Sequence, residues 1–233
     1  MKHLNVLIAC EESQVECNAF RALGHKAYSC DIQKCRRNGH PEWHIHGDVT
    51  PLLEGRTQFY TQDGKHHHIS RWHLIIAHPP CTYLCKVSSV QLATNADYKI
   101  RVDGKLKWVN YERYQKMLLA KDFFFRCLKA HAPFVAVENP LPMKLAGLPP
   151  ASCFIQPYWF GHKYSKKTLY WLKELPPLMP VITNPNIKEY VRSSRGKYRS
   201  TTFEGVARAI AKQWGDHVIE KLNINYKKRS HES

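Results

Sequence analysis

Two apolar segments, each followed at once by a short polar motif, constrain the fold of this chain most strongly. Residues 75–77 precede the motif His78-Pro79-Pro80-Cys81, and residues 134–137 precede the motif Glu138-Asn139-Pro140. Short apolar runs that end in turn residues are typical of buried strands, and parallel sheets bind ligands beyond the carboxyl ends of such strands. The two motifs therefore predict one cleft that contains a cysteine thiol and a carboxyl group.

Strand-like and helix-like segments alternate along the sequence, which is the pattern of an α/β fold. We therefore predict a doubly wound, Rossmann-like sheet that is mostly parallel. Residues 1–225 are expected to form one domain, and residues 226–233 are expected to form a disordered basic tail. Beyond the segments that precede the two motifs, strands are predicted at residues 4–9 and 26–32, before Gly47 and within 156–172, and helices at 15–23, 111–130 and 205–221.

The charge of the chain favours a polyanionic partner. There are 35 Lys and Arg against 19 Asp and Glu, which gives a formal net charge of +16. An excess of this size attracts nucleic acid over long distances, so DNA is the leading candidate; the alternative is a solvated basic surface that only aids solubility. No apolar run is long enough to span a membrane, and the start of the chain lacks the apolar core of a signal peptide. We therefore expect a cytoplasmic protein without a membrane partner.

The eight cysteines have no regular spacing, so we expect free thiols rather than a disulfide framework. One short segment is nevertheless rich in potential metal ligands. Their spacing does not form the paired ligand knuckles of structural zinc sites, so we predict no metal and leave a zinc ion in this segment as the alternative. The ligands in question are Cys30, Cys35, His40, His44 and His46.

The segment between the two motifs is basic and lacks a sustained apolar period. We interpret residues 86–110 as a mobile loop with a turn at Asp103-Gly104, whose Lys86 and Arg101 contact phosphates of the substrate. Residues 192–199 form a second basic run, interpreted as a surface loop on the same side.

The two motifs suit chemistry on a pyrimidine ring. Carbon 5 of a pyrimidine is a poor nucleophile until a thiolate adds at carbon 6, and an acid that donates to N3 assists this addition. Cys81 supplies the thiol, which needs a lowered pKa or a nearby base, and Glu138 supplies an acid.

In this order and context the motifs resemble those of the DNA cytosine-5 methyltransferases. That family carries its nucleophile in a Pro-Cys motif and its acid in a Glu-Asn-Val motif, and Pro80-Cys81 and Glu138-Asn139-Pro140 look like these. The resemblance implies a class I methyltransferase fold, S-adenosylmethionine as cofactor and DNA as substrate, with Cys81, Glu138 and Asn139 as catalytic residues. It further implies cofactor binding by Ala9, Glu11, Asp31, Ile32, Asp48, Val49 and Pro80, and substrate binding by Lys166, Lys167 and Thr168 besides Lys86 and Arg101.

The chain departs from that family in three ways. The loop after the first strand lacks the family's glycines, and lysine and threonine stand where arginines bind the base. Residues 173–202 leave no room for a large target-recognition domain, which implies low or partner-dependent sequence specificity and resembles small phage-type members. Two alternatives stay open: an enzyme that modifies carbon 5 of pyrimidine nucleotides, and a catalytically decayed methyltransferase-like protein that only binds nucleic acid.

Overall fold

A computed structural model of the chain describes residues 3–183 and 201–231, with side chains up to residue 223. It contains a central seven-stranded sheet, two separate two-stranded hairpins and helices on both faces of the sheet. The strands are β1 Asn5–Ala9, β2 Lys26–Asp31, β3 His44–His46, β4 Gln58–Tyr60, β5 His66–His68, β6 Leu74–Ala77, β7 Tyr98–Val102, β8 Lys105–Val109, β9 Phe134–Pro140, β10 Cys153–Ile155 and β11 Thr168–Lys173. The α-helices are α1 Val15–Ala22, α2 Thr50–Leu53, α3 Ser89–Ala93, α4 Tyr111–Leu128 and α5 Glu204–His231.

The central sheet has the strand order β10-β11-β9-β6-β1-β2-β3. Strands β3, β2, β1, β6 and β9 run parallel to one another, whereas β11 is antiparallel to both β9 and β10. The predicted doubly wound, mostly parallel α/β fold is confirmed. Five strands therefore place their carboxyl ends along one edge of the sheet.

Two apolar layers enclose the sheet. Alternate residues of a strand point to opposite faces, so Val6 and Ile8 pack on one side of β1 while Leu7 packs on the other. The first layer contains Phe20 of α1 and Trp214 of α5, and both side chains are fully buried. The second layer contains residues of α2 and α4, among them Leu52, Leu53, Met117 and Phe124.

The expectation of a mobile loop at residues 86–110 is wrong. This segment forms α3 and the β7–β8 hairpin, in which Asp103 and Gly104 take up left-handed backbone angles, with φ of 49° and 75°. Positive φ at both central residues is the geometry of the tightest hairpin turns, and Asp-Gly favours it. Because most residues of these strands are exposed and many are lysines, the alternation of buried and exposed positions was not recognised. Ile100 and Val109 are the buried ones. A second polar segment, on either side of Asp63, forms the β4–β5 hairpin.

The predicted closing helix is present as α5 and continues beyond Lys221 to His231. No glycine or proline occurs between residues 216 and 231, so the sequence contains no signal that would end the helix earlier. Its backbone therefore includes most of the segment that was expected to be a tail. The basic run at residues 192–199 lies outside the described residues, as does most of the segment 173–202.

Within the part of the chain that the structure describes, no helix combines the length and the apolar character that a membrane span requires.

Candidate active site

The two polar motifs lie side by side. Strands β6 and β9 are parallel neighbours in which Ala77 pairs with Val137, so His78 and Glu138 follow at the same level. Nδ1 of His78 lies 3.5 Å from Oε2 of Glu138. The register of these two strands thus joins the cysteine motif to the acid motif.

His78 also contacts a second acid from the other side. Its Nε2 lies 3.1 Å from Oε1 of Glu16, whose side chain is completely buried in the first turn of α1. The contact lacks hydrogen-bond alignment, so its attraction is that of an ion pair. Burial alone would lower the pKa of His78, but the carboxylates of Glu16 and Glu138 outweigh burial and raise this pKa well above its usual value. The two carboxylates therefore favour the protonated, imidazolium form of His78.

Glu11, predicted from the resemblance to bind a cofactor, is buried and caps helix α1. Its Oε1 accepts the backbone N–H of Glu16 at 2.7 Å, and its Oε2 accepts that of Cys17 at 3.3 Å. Burial, together with the neighbouring carboxyl group of Glu16, raises the pKa of Glu11 to about 8. The hydroxyl of Thr202 donates to Oε1 of Glu16 at 3.0 Å and so ties the segment before α5 to the same cluster.

We expect stability to fall as pH rises, because both shifted groups in this cluster hold protons more tightly in the folded chain. The folded pKa of Glu11 is about 8, against an ordinary value of 4.5, and that of His78 lies well above its ordinary value of 6.5. At any pH between the ordinary and the folded pKa of either group, the folded state binds more protons than the unfolded state. The free energy of unfolding therefore decreases as pH rises through that range. Urea unfolding at pH 6 and pH 9 should show the lower midpoint at pH 9; equal midpoints would contradict this assignment.

Cys81 stands in the turn after β6 and is only partly exposed. Burial raises the pKa of its thiol to about 11, the nearby Cys85 and Glu138 add to this, and Lys166 acts weakly in the opposite direction. The thiolate-stabilising environment expected at a strand end is therefore absent in the free protein. A substrate or base that contacts the thiol would have to complete its activation.

Strand β11 lies next to β9 in the sheet and therefore beside the acid motif. Glu138 pairs in register with Tyr170, and the two side chains line a small cavity of about 30 Å³ together with Lys166 and Thr168 of the β11 side. Thr202, Phe203 and Val206 close the cavity from the start of α5. The structure thus brings Lys166 and Thr168, which were predicted to bind substrate, next to Glu138.

Other predicted residues lie elsewhere. Nζ of Lys167 lies 4.3 Å from the centre of the Phe154 ring, and Arg101 lies on the β7–β8 hairpin, where its Nη1 donates to the carbonyl of Gly104. Lys86 begins the short turn before α3.

Asn139 is fully buried, and neither its amide nitrogen nor its amide oxygen has a hydrogen-bond partner within the described structure. Such a group needs a water or a ligand to satisfy it.

The residues predicted to hold the cofactor line the same edge of the sheet but differ in access. Asp31 is partly exposed at the end of β2, where its Oδ1 accepts the N–H of Gln33, and the side chain of Ile32 is 77% exposed. A carboxylate beside an exposed apolar side chain suits a ligand that carries hydroxyl groups and a flat ring. Asp48 is exposed and caps α2 through the N–H of Thr50, while Pro80 is exposed in the turn before Cys81. Ala9 and Val49 are buried parts of the fold.

In the loop after β1, several polar groups are hydrogen-bonded within the fold. Cys10 and Gln14 occupy left-handed conformations, with φ of 62° and 58°. The N–H groups of Cys10 and Glu11 both donate to the carbonyl of Cys30, and the buried amide of Gln14 bonds to the backbone of His40. The loop without the family's glycines thus engages the N–H groups of Cys10 and Glu11 within the fold, and the ends of β2 and β3 carry the other predicted cofactor contacts.

The cysteine- and histidine-rich segment uses several of its side chains within the fold. The rings of His44 and His46 bond to the carbonyls of Gln33 and Ile32, and Nδ1 of His44 also bonds to the hydroxyl of Ser29. Across the residues whose positions are described, no group of three or more His, Cys, Asp or Glu side chains could hold a metal ion.

Comparison with known proteins adds little beyond this geometry. No protein-family model matches the sequence, and no curated protein matches it significantly. Among solved structures, the chain is similar to a proposed DNA modification methyltransferase encoded within a prophage of E. coli, with 15% identity and a TM-score of 0.43. The match covers 79% of this chain and 53% of the other, so the chain spans about half the length of that protein. Similarity at this level does not assign a function.

Proposed function

We propose that this chain transfers a methyl group from S-adenosylmethionine to carbon 5 of cytosine in DNA, with low or partner-dependent sequence specificity. One observation carries the proposal: Cys81 lies in the turn after β6, and Glu138 lies near the carboxyl end of the adjacent parallel strand β9, next to the pair Ala77–Val137. Lys166 lines the cavity beside Glu138 and supplies a cation. A thiol, a carboxyl group and a cation at one sheet edge are what addition to a pyrimidine requires.

In the proposed reaction the thiol of Cys81 loses its proton and its sulfur forms a bond to carbon 6 of the ring. Glu138 donates a hydrogen bond or proton at N3, so the electron pair displaced by the sulfur makes carbon 5 nucleophilic. Solvent takes up the proton that the thiol of Cys81 loses in the first step. After carbon 5 has taken the methyl group, solvent also takes up the carbon 5 proton and any proton at N3 returns to Glu138. The carbon–sulfur bond then breaks, its electron pair returns to sulfur, and both the ring and Cys81 are restored. The buried amide of Asn139, next to Glu138, would be satisfied by the bound substrate or a water molecule and would then orient Glu138.

His78 supports this role of Glu138. A cationic imidazole 3.5 Å from the carboxyl group holds that group in place and is a nearby source of a proton. Because the buried thiol of Cys81 has a pKa of about 11, the rate of the first step should rise as pH is raised toward that value. Lys166 and Thr168 line the cavity beside Glu138 and are suited to contact the base.

Asp31 and Ile32, with Asp48 nearby, would hold the ribose and adenine of S-adenosylmethionine, and Pro80 would border its reactive end. The bound cofactor would supply an electrophilic methyl group. Glu11 contributes indirectly, because its carboxyl group is bonded to the start of α1. Lys86 and Arg101 would contact DNA phosphates outside the cavity.

We expect Asp31→Ala to weaken the binding of S-adenosylmethionine by roughly 10-fold or more, since hydrogen bonds to a charged group contribute about 1.5–3 kcal/mol. Isothermal titration of the purified protein measures this directly, and Asp63→Ala, which changes an aspartate in the β4–β5 turn, is the matched control. Equal affinities of the wild type and Asp31→Ala, or no binding by the wild type, would contradict the cofactor assignment.

Two observations favour a second candidate, a methyltransferase-like protein that only binds nucleic acid. The closed loop after β1 and the high pKa of the Cys81 thiol both reduce the activity expected of the free protein. Such a protein would bind DNA with a steep dependence on salt but would not bind S-adenosylmethionine.

A further inference from the structure

The β7–β8 hairpin presents two unlike faces. Ile100 and Val109 point inward and are buried in the core of the domain. On the outer face, Trp108 is 57% exposed and Leu106 is 60% exposed. These two side chains alternate across the hairpin with cations, because Lys99 pairs with Trp108 and Arg101 pairs with Leu106. The outer face thus combines an exposed aromatic ring with fixed positive charge.

The hairpin carries a strong excess of positive over negative charge. Residues 98–109 contain the four cations Lys99, Arg101, Lys105 and Lys107 against the single carboxylate of Asp103 in the turn. The nearby carboxylate of Asp97 accepts the backbone N–H of Tyr111, so it is engaged in holding the base of the hairpin. Nζ of Lys99 lies 4.6 Å from the centre of the Trp108 ring, the distance of a cation–π contact.

The base of the hairpin is anchored beside the candidate active site. Asn110 caps helix α4 by accepting the N–H of Arg113, and its own N–H donates to the carbonyl of Leu92 in α3. Arg113 in turn donates to the carbonyl of Thr82, the residue after Cys81. The outer face is therefore held on a platform that connects directly to the turn carrying the thiol.

We propose that the outer face of this hairpin binds a single-stranded segment of nucleic acid, with an unpaired base stacked on Trp108 and phosphates contacted by Lys99 and Arg101. An exposed indole between cations is the arrangement that binds single strands, since every base has a face that stacks and every nucleotide has a negative charge. Paired bases hide their faces within the duplex, so the stacked base must be unpaired. Acidic peptides would satisfy the cations but would leave the indole without a stacking partner.

The test is fluorescence anisotropy with a labelled oligothymidine, performed without S-adenosylmethionine and in the Cys81→Ser background, so that failure of the methyl-transfer proposal does not affect it. Trp108→Ala should weaken binding by about 10-fold or more, and Trp108→Phe, which keeps a ring, should stay within about 3-fold of the parent. The matched control is Tyr60→Ala, which removes a 65% exposed ring from the other hairpin and should leave affinity unchanged.

Two further arms separate stacking from charge. Lys99→Gln should lower the slope of log affinity against log salt by roughly 0.7, whereas Trp108→Ala should leave that slope unchanged. A duplex of the same length should bind with little dependence on Trp108. The proposal is overturned if the parent protein does not bind the oligomer, if Trp108→Ala binds it as the parent does, or if that variant loses duplex and single-strand binding equally.

Discussion

Replacing Cys81 with serine is expected to lower the rate of methyl transfer to DNA by about 10³-fold or more, the scale of losing a covalent nucleophile. A serine hydroxyl is far less acidic than a thiol, even than this thiol with its pKa of about 11, and it adds poorly to carbon 6 of a pyrimidine. Transfer of a labelled methyl group from S-adenosylmethionine to an oligonucleotide measures the loss. DNA binding should be retained, because the change removes no charge.

Cys85→Ser is the matched control. Cys85 follows one turn later, and its Sγ lies 3.2 Å from the hydroxyl of Ser88, a contact that a serine can keep. Its thiol has no role in the proposed reaction, so this variant should transfer methyl groups at a rate close to that of the wild type. If Cys85→Ser abolished transfer while Cys81→Ser did not, the assignment of the nucleophile would be wrong.

Replacing His78 with glutamine is expected to lower the free energy of unfolding by about 3–5 kcal/mol, the range for removing one partner of a buried ion pair. Without the imidazolium, the completely buried carboxyl group of Glu16 would lose its nearest cation, and Glu138 would lose the group 3.5 Å away that holds it. Urea unfolding near neutral pH measures the first effect, and the methyl-transfer rate measures the second.

The double variant Glu16→Gln/His78→Gln separates charge from shape. Removing both charges leaves no uncompensated buried ion, so the double variant should be clearly more stable than His78→Gln alone. It should not regain activity, because Glu138 still lacks its imidazolium neighbour. If the stability loss of the double variant equalled the sum of the losses in Glu16→Gln and His78→Gln, the two residues would not interact as their 3.1 Å separation indicates.

The central strands can be predicted from the sequence because a continuous apolar run is typical of a strand that is buried on both faces. The runs that became β6 and β9 are fully buried along residues 74–77 and 134–137, and both end at the polar motifs. The β7–β8 hairpin was missed for the opposite reason. Only Ile100 and Val109 are buried among its lysines and exposed aromatic residues, so the alternation of buried and exposed positions is weak. The main sequence signal of the hairpin is the Asp103-Gly104 turn.

The candidate site was predictable only in part. That Cys81 and Glu138 lie at the same edge of the sheet follows from two adjacent parallel strands. The contact of His78 with Glu16 and Glu138 depends on the register of β6 with β9 and on the docking of α1, neither of which is a local property of the sequence. The one signal available was an ionisable residue directly after a buried strand. The raised pKa of Cys81 depends on burial, which the motif alone does not reveal.

Identifying which atom of which base becomes methylated, and whether the protein becomes linked to it, tests whether the proposed reaction occurs. The protein is incubated with labelled S-adenosylmethionine and DNA, and a parallel reaction uses DNA with 5-fluorocytosine, whose fluorine cannot leave as the carbon 5 proton does. We expect 5-methylcytosine in the first reaction and, in the second, a covalent complex that peptide mass spectrometry locates at Cys81. Methylation of an exocyclic amino group, or transfer that persists in Cys81→Ser, would contradict the account.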